Sequence, residues 1–217
     1  VEMQQVKSKL VFKLNFENKL DGYYTLYLSP GIAKILKNGS LGKPSYFDPE
    51  YHNKKNQLDL KELELLSTLV LVSDSAYELK NSVSLNFQKG SELLSRILES
   101  EYCFWEDKPL KAGEVLKAKA EWQLLQDGSQ KFRLSLPEGY ILLNMQPGWY
   151  FHPLQLRLGR VETELPGYFL HALTELPPVP FNHVSNFVKQ LKEKLQDKAN
   201  LLTHLPLPQV FQKTKTF

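Results

Sequence analysis

Apolar and polar residues alternate in two stretches near the start of the chain, and this period of two predicts half-buried β-strands. One stretch runs from Leu10 to Phe16, and the second runs from Tyr24 to Leu28. Ser29-Pro30-Gly31 breaks the second pattern, so Ile32 to Leu36 is expected to form a separate, returning strand. Two hairpin signals this close together predict a small antiparallel sheet.

The clearest alternation lies in the middle of the chain. Apolar side chains occupy the even positions from Leu116 to Leu124, and the same pattern runs from Phe132 to Leu136 after an Asp127-Gly128 turn. An antiparallel hairpin with one buried and one solvated face is therefore predicted. Further strands in a meander are expected at residues 140–145, 149–151 and 154–158.

Apolar residues spaced three and four apart predict helices in other segments. One helix is expected to begin at Asp59, with Glu62 at the spacing of a capping box. Its predicted apolar face consists of Leu60, Leu63, Leu66 and Val70. Shorter helices are expected at residues 91–99, with Leu94, Ile97 and Leu98 facing inward, and at residues 166–173.

A longer amphipathic helix, residues 183–203, is predicted near the end of the chain. Asn182 is placed to cap it, and the prolines between Pro177 and Pro180 stiffen the link before it. We expect its apolar stripe to cover the protein's own sheet, the alternative being a docking face for a partner. The stripe consists of Val184, Phe187, Val188, Leu191, Leu195 and Ala199.

Together these elements predict an α+β fold: antiparallel β-sheets, as hairpins and a meander, with packed helices and a C-terminal amphipathic helix. We place a domain boundary near residue 75. It would separate an N-terminal α+β subdomain, residues 1–75, from a β-meander plus helical subdomain, residues 76–208. Residues 209–217 are predicted to be a linker or tail.

Composition narrows the class of protein but does not name its function. The chain has 217 residues and a net charge of +3, which permits contact with nucleic acid without requiring it. Its single cysteine indicates a reducing, cytoplasmic location. No run approaches the roughly 20 apolar residues of a membrane span, so no membrane partner is expected. Because the chain opens on Val1 and ends in a polar segment, we expect it to be part of a longer protein.

No constellation for catalysis, cofactor binding or metal binding is evident. Gly39 and Gly42 are too close for a phosphate-binding loop, and Pro44 follows Lys43 where Ser or Thr is needed, so a turn is predicted. Cys103 has aromatic neighbours and is expected to be a buried thiol with a normal or raised pKa. The histidines lack the paired spacing of metal ligands: His52, His152, His171, His183 and His204.

Basic residues interleaved with aromatic ones indicate a possible contact with nucleic acid, since charge and base stacking together bind single strands. Lys131 and Arg133 lie on the predicted wet face of the hairpin. Arg157 and Arg160 could join them near Trp149.

Several segments, in order along the chain, resemble the N-terminal region of bacterial Swi/Snf-type helicase-like ATPases. They are LKNGSLGKPSYFD (36–48), KGSELLSRILES (89–100), EWQLLQDGSQKFRL (121–134), GWYFHP (148–153) with Gly159, ELPGYFLHALTELPPVP (164–180) and LPLP (205–208). In that family two RecA-like lobes further along the chain bind ATP and grip DNA. The Walker lysine loop and acidic box of those lobes are absent from this sequence, and its single cysteine excludes the zinc-binding SWIM motif of some relatives.

The resemblance implies a non-catalytic accessory or regulatory domain of a bacterial, cytoplasmic DNA-dependent ATPase. Such a domain would position the motor or assist its binding to nucleic acid. Its partners would be the motor lobes of the same parent chain and, where it assists binding to nucleic acid, DNA. ATP binding and hydrolysis would belong to the parent alone. Two alternatives stay open: a protein-interaction module without nucleic-acid contact, and an enzyme whose site is assembled from scattered residues.

Overall fold

The computed structural model describes residues 8–18, 24–47, 58–72, 82–85, 88–143, 145 and 148–211. Its mixture of helices with antiparallel and mixed sheets confirms the predicted α+β class. No helix in these ranges is both long and apolar enough to cross a membrane. The elements in chain order are β1 (Ser8–Asn18), β2 (Tyr24–Lys34), β3 (Ser45–Tyr46), α1 (Leu60–Val72), β4 (Val83–Ser84), α2 (Gln88–Glu99), β5 (Cys103–Trp105), β6 (Lys108–Pro109), β7 (Lys111–Ala112), β8 (Leu116–Lys117), β9 (Lys119–Leu124), β10 (Gln130–Ser135), β11 (Ile141–Leu143), β12 (Trp149–His152), β13 (Arg157–Glu162), α3 (Gly167–Glu175), a 3₁₀ turn (Phe181–His183), α4 (Val184–Leu195) and α5 (Ala199–His204).

The chain divides into two compact units. The sheet unit comprises Val1–Val115 and Gly139–Arg160, and the hairpin unit comprises Leu116–Glu138 and Val161–Phe217. This division differs from the predicted boundary near residue 75, which itself lies outside the described residues. The physical reason is strand pairing: β4 pairs with β2 and β5 pairs with β1, so segments on both sides of residue 75 share one sheet.

The strands of the sheet unit follow the order β6-β5-β1-β2-β11-β12-β13-β7. The predicted hairpin of β1 and β2 is present, but β2 continues through Ser29-Pro30-Gly31 instead of ending there. Leu26 and Ile32 turn their carbonyl oxygens to the edge of β2 away from β1, where they accept bonds from Leu85 N and Ser45 Oγ. Along a strand, the backbone groups of every second residue face the same edge. Pro30 lies four positions after Leu26 and two before Ile32, so its nitrogen also faces away from β1. The absence of an N–H on proline therefore removes no hydrogen bond to β1.

The predicted meander is formed by β11, β12 and β13, which pair antiparallel in succession. The strand expected at residues 154–158 is wrong, because a turn occupies residues 153–156. Leu154 is 90% exposed, and Leu156 has a left-handed φ of 54°. A strand requires extended backbone, so pairing with β12 starts only at Arg157.

Helix α1 begins with the predicted capping box. Asp59 Oδ1 accepts a hydrogen bond from Glu62 N, and Glu62 Oε2 accepts one from Asp59 N, both at 2.9 Å. The predicted apolar face is mostly wrong, because only Leu66 of its four members is buried. The face turned to the core carries Glu62, Leu65, Leu66 and Leu69.

Helix α2 confirms the predicted inward residues Leu94, Ile97 and Leu98, although it begins at Gln88 rather than Ser91. These side chains join the core of the sheet unit together with Leu65, Leu69 and the inward residues of β1 and β2. Burial of this continuous apolar cluster is the main force that holds helices α1 and α2 on the sheet.

In the hairpin unit, β9 and β10 form the predicted antiparallel hairpin with Leu134 opposite Ala120 and Phe132 opposite Trp122. These residues pack on one side against helices α3 and α4 through Leu170 and other apolar residues. The turn between the strands is closed by Asp127 Oδ1, which accepts hydrogen bonds from the backbone N and Oγ of Ser129 at 3.0 and 2.6 Å.

The predicted C-terminal helix is two helices, α4 and α5, separated by residues 196–198. Val184, Val188 and Leu195 are buried as expected, whereas Ala199 is exposed in the second helix. Asn182 does not cap α4, because it lies within the 3₁₀ turn and residue 183 precedes the helix without a side-chain cap.

The predicted tail does not begin at residue 209. Gln130 binds the backbone of Gln209 in both directions, with Nε2 donating to its carbonyl at 2.7 Å and Oε1 accepting from its N–H at 2.8 Å. Just before it, Trp122 Nε1 donates to the carbonyl of Pro206 at 2.8 Å. The folded chain therefore extends to at least Phe211, whose ring stacks with Phe181; residues 212–217 lie outside the described residues.

Candidate nucleic-acid interface

Cys103 and the histidines of the described ranges are side chains that could bind a metal or take part in catalysis. No three His, Cys, Asp or Glu side chains in these ranges come together as a metal site. Cys103 is fully buried, and burial raises its pKa to about 12, which confirms the expected buried thiol with a raised pKa. His152 is buried, and its Nδ1 accepts a hydrogen bond from Gln155 N at 3.2 Å. His52 and the side chain of His171 lie outside the described part of the chain.

The residues predicted for nucleic-acid contact belong to both units. Trp149, Arg157 and Arg160 are in the sheet unit, and Lys131 and Arg133 are in the hairpin unit. Each unit therefore carries its own set of candidate contacts.

Trp149 is a correction to the prediction. Its side chain is buried in the core of the sheet unit, where Nε1 donates to the hydroxyl of Ser91 at 2.6 Å. A base can stack only on an exposed ring, so this indole cannot serve as a stacking platform. Packing in the core explains why this position is aromatic, and the hydrogen bond to Ser91 of helix α2 satisfies the indole N–H.

Arg157 and Arg160 are both exposed, but they do not form one patch. They lie three positions apart on β13, and side chains of a strand alternate between its two faces. The two guanidinium groups are therefore directed to opposite faces of the sheet. Neither takes part in an ion pair with a described residue.

The structure supplies a neighbour for Arg157 that the sequence pattern did not indicate. Strand β7 pairs parallel with β13, and Lys111 is the register partner of Arg157. Both side chains are exposed, and among the described residues neither has an anionic partner. Two like charges side by side on adjacent strands repel each other, so a bound anion would relieve an existing cost. We call Lys111 and Arg157 the cation pair.

Tyr150 provides a rigid floor beside the cation pair. Its ring lies against Gly159, and an added Cβ at Gly113 or Gly159 would collide with it. Its hydroxyl donates to the carbonyl of Glu114 at 2.8 Å, and burial raises its pKa. Arg157 Nη1 lies 3.5 Å from the carbonyl of Ala112, which leaves the other guanidinium donors for a ligand.

Lys131 and Arg133 lie on the solvated face of the β9–β10 hairpin, as predicted, but Lys131 is hydrogen-bonded and Arg133 lies opposite an acidic residue. Lys131 Nζ donates to the carbonyl of Leu176 at 2.7 Å. Arg133 is the register partner of Glu121, and the Glu121 carboxylate forms an ion pair with Lys119 at 2.7 Å. This face therefore attracts phosphate less strongly than its count of cations suggests.

A charged cleft of about 470 Å³ on the sheet unit is also explained by internal pairing. Lys9 Nζ lies 3.2 Å from Asp59 Oδ2, and Arg96 bonds to Thr68 and pairs with Glu64. Burial alone would lower the pKa of Lys9, but its hydrogen bond to Asp59 and the charge of Glu62 outweigh burial and raise it. These groups hold α1 to β1 and α2.

No protein-family model, curated protein or solved structure matches this chain.

Proposed function

We propose that this chain is a non-catalytic accessory domain of a bacterial Swi/Snf-type DNA-dependent ATPase and that it contacts the phosphate backbone of nucleic acid. The observation that carries the nucleic-acid contact is the cation pair: Lys111 and Arg157 are neighbours on adjacent strands without an anionic partner among the described residues. The order of family-like segments supports the context, in which the motor lobes of the parent chain are the partner and the compartment is the cytoplasm.

The cation pair is suited to phosphate for a physical reason. Arg presents planar paired donors to phosphate oxygens, and Lys adds a point charge on a flexible stem. Contacts of this kind position a protein on nucleic acid without reading its sequence. The proposed domain would therefore bind the phosphate backbone of nucleic acid. Any recognition of base sequence, and the hydrolysis of ATP, would belong to other parts of the parent protein.

A salt titration tests the contact. Affinity for a fluorescein-labelled 20-base-pair duplex is measured across a range of salt concentrations for the wild type, Lys111→Gln, Arg157→Gln and the double variant. We expect log affinity to fall with log salt and the slope to shrink by about 1 for each cation removed.

Lys13→Gln is the matched control, because it removes the same charge from the same unit but from an existing pair with Asp107 at 3.0 Å. We expect its slope to stay at the wild-type value. Absence of duplex binding, or equal slopes for the control and the double variant, rules out the proposed contact. Hydrolysis of ATP by this chain alone, or a parent protein without motor lobes, rules out the proposed context.

Helix α1 favours a second candidate, a protein-interaction module without nucleic-acid contact. Leu60 and Leu71 on its outward side are 73% and 75% exposed. Leu63, 38% exposed, lies between them along the helix, and a contiguous exposed apolar patch marks a protein contact surface. A Leu60→Ser/Leu71→Ser variant that loses co-elution with separately produced motor lobes, while Lys61→Ser keeps it, would favour this candidate.

A further inference from the structure

Strand β9 in the hairpin unit turns alternate peptide groups away from its partner β10. Leu125 N donates to Ser129 O at 2.8 Å, which fixes residues 125 and 129 as a hydrogen-bonded pair. The bonds of an antiparallel ladder alternate, so odd-numbered residues of β9 bond to β10 and even-numbered residues face outward. Ala118 confirms the parity, because its N–H donates outward to Glu162 O at 3.0 Å.

The outward peptide groups of Ala120, Trp122 and Leu124 have no hydrogen-bond partner in the part of the chain that the structure describes. Three successive outward residues thus leave a row of donors and acceptors at the repeat of a β-strand. Leu124 at the end of the row is 52% exposed. An edge of this kind is a template for another extended chain.

A groove lies beside the start of this edge. Its volume is about 450 Å³, and it is lined by residues 117–120 on one side and 162–165 on the other, with His204. Strand β13 runs parallel to β8 up to Glu162, and the chain then turns away at Thr163, whose Oγ1 donates to Leu165 O at 2.9 Å. The groove therefore lies where β13 would run beside β9 if the chain did not turn away at Thr163.

We propose that the outer edge of β9 binds an extended segment of a partner protein by strand addition. The proposal does not depend on the nucleic-acid contact, since none of its residues belongs to the cation pair. Main-chain groups at strand spacing are matched only by another polypeptide backbone, which explains why a peptide is the occupant. The edge strands β6 and β7 of the sheet unit are only two residues long, and β6 contains Pro109, whereas β9 is six residues long and has no proline.

Side chains beside the edge define the chemistry of the segment. On the buried face, Trp122 and the exposed Leu124 favour apolar residues at alternate positions of the partner. On the solvated face, Lys119 and Glu121 are two positions apart and pair with each other at 2.7 Å, so an acidic residue opposite Lys119 and a basic one opposite Glu121 extend that ion pair across the edge. The segment is thus an amphipathic strand with opposite charges two residues apart.

The probe is a synthetic seven-residue peptide in which valines alternate with Glu, Lys and Thr, measured by fluorescence anisotropy. Two N-methylated versions test whether the backbone carries the binding. Methylated valine amides block an antiparallel addition, and methylated polar-residue amides block a parallel one, because these two sets face opposite edges of the peptide. We expect one methylated peptide to lose binding and the other to keep it. Equal binding of both, or no binding of the parent peptide, overturns the proposal.

Ala120→Pro tests the edge from the side of the protein. It removes an outward N–H and leaves the ladder to β10 intact, so the domain is expected to keep its thermal unfolding transition. Peptide binding is expected to weaken roughly tenfold, the effect of one lost backbone hydrogen bond with local steric exclusion. Ala120→Thr is the control, because it keeps the N–H and suits a strand. Equal binding by the Pro and Thr variants contradicts the proposal.

Amide hydrogen exchange provides a test that does not depend on any variant. In the free protein, the amides of Ala120, Trp122 and Leu124 are expected to exchange quickly and those of Glu121 and Gln123 slowly. The peptide is expected to slow the first set. Slow exchange of the first set in the dilute free protein overturns the proposal.

Concentration-dependent dimerisation that Ala120→Pro abolishes also overturns it, because a second copy would then occupy the edge.

Discussion

The carboxylate of Glu62 on helix α1 accepts a hydrogen bond from the backbone N–H of Leu10 on strand β1, with the two atoms 2.9 Å apart. Its other oxygen accepts from Asp59 N, also at 2.9 Å. One buried carboxylate therefore caps the helix and satisfies an otherwise unpaired N–H of the strand. This bond turns the Glu62 side of α1 toward the core and explains why Leu60 and Leu63 face outward.

Replacement of Glu62 by Ala is expected to lower the free energy of unfolding by about 1–3 kcal/mol, because two N–H groups lose their acceptor. Glu62→Gln keeps one acceptor oxygen and is expected to fall between Ala and the wild type. Urea unfolding followed by tryptophan fluorescence measures both. Lys61→Gln is the control, because Lys61 is exposed on the same helix turn and has no ion pair among the described residues; its expected change is within about 0.5 kcal/mol. An Ala variant as stable as this control would show that the buried bonds contribute nothing.

Asp59 links the stability of this unit to acid. The hydrogen bond from the backbone N–H of Glu62 lowers the pKa of its carboxyl, and Lys9 lowers it further against the opposing effect of partial burial. A depressed folded-state pKa contributes stability above the unfolded-state pKa, and that contribution is lost as the pH falls through the folded-state pKa. Wild type and Asp59→Asn are therefore expected to differ in unfolding free energy at neutral pH and to converge in acid. A difference that stays constant from pH 7 to pH 2 would contradict this linkage.

Cys103 is expected to resist thiol reagents while the protein is folded. With its pKa raised by burial to about 12, its thiolate fraction at pH 8 is roughly 10³-fold below that of an ordinary cysteine. Ellman's reagent added at pH 8, without and with denaturing urea, measures the contrast. Rapid labelling without urea would show that the thiol is accessible and the packing around it wrong.

Gln130 holds the end of the described chain. Replacement by Ala removes both bonds to Gln209 and is expected to cost about 1–2 kcal/mol in urea unfolding. The amide of Gln209 is then expected to exchange with solvent much faster than in the wild type. Gln190→Ala, on the exposed face of α4, is the control. We expect it to change neither the free energy of unfolding nor the exchange rate of the Gln209 amide. A Gln209 amide that is equally protected in both variants would show that another contact holds the segment.

Features that depend on neighbours in sequence were predictable. Alternating residues and the Asp127-Gly128 turn specified the β9–β10 hairpin, because both strands and their turn lie within 17 residues, from Lys119 to Ser135. The capping box of α1 needed only Asp59 and Glu62, three positions apart. The burial of Cys103 followed from its aromatic surroundings.

Features that depend on which strands become neighbours were decided by the tertiary structure. Pro30 is tolerated within β2 because its nitrogen faces the edge away from β1 and removes no bond from the β1–β2 ladder, a fact that requires the pairing of β2 to be known. Lys111 meets Arg157 only through the parallel pairing of β7 with β13, 46 positions apart in the chain. The burial of Trp149 and the open edge of β9 also depend on which distant segments become neighbours, so the sequence pattern did not predict them. A local pattern states which residues prefer burial, whereas the packing of distant segments decides which of them are covered and which charges and peptide groups stay exposed.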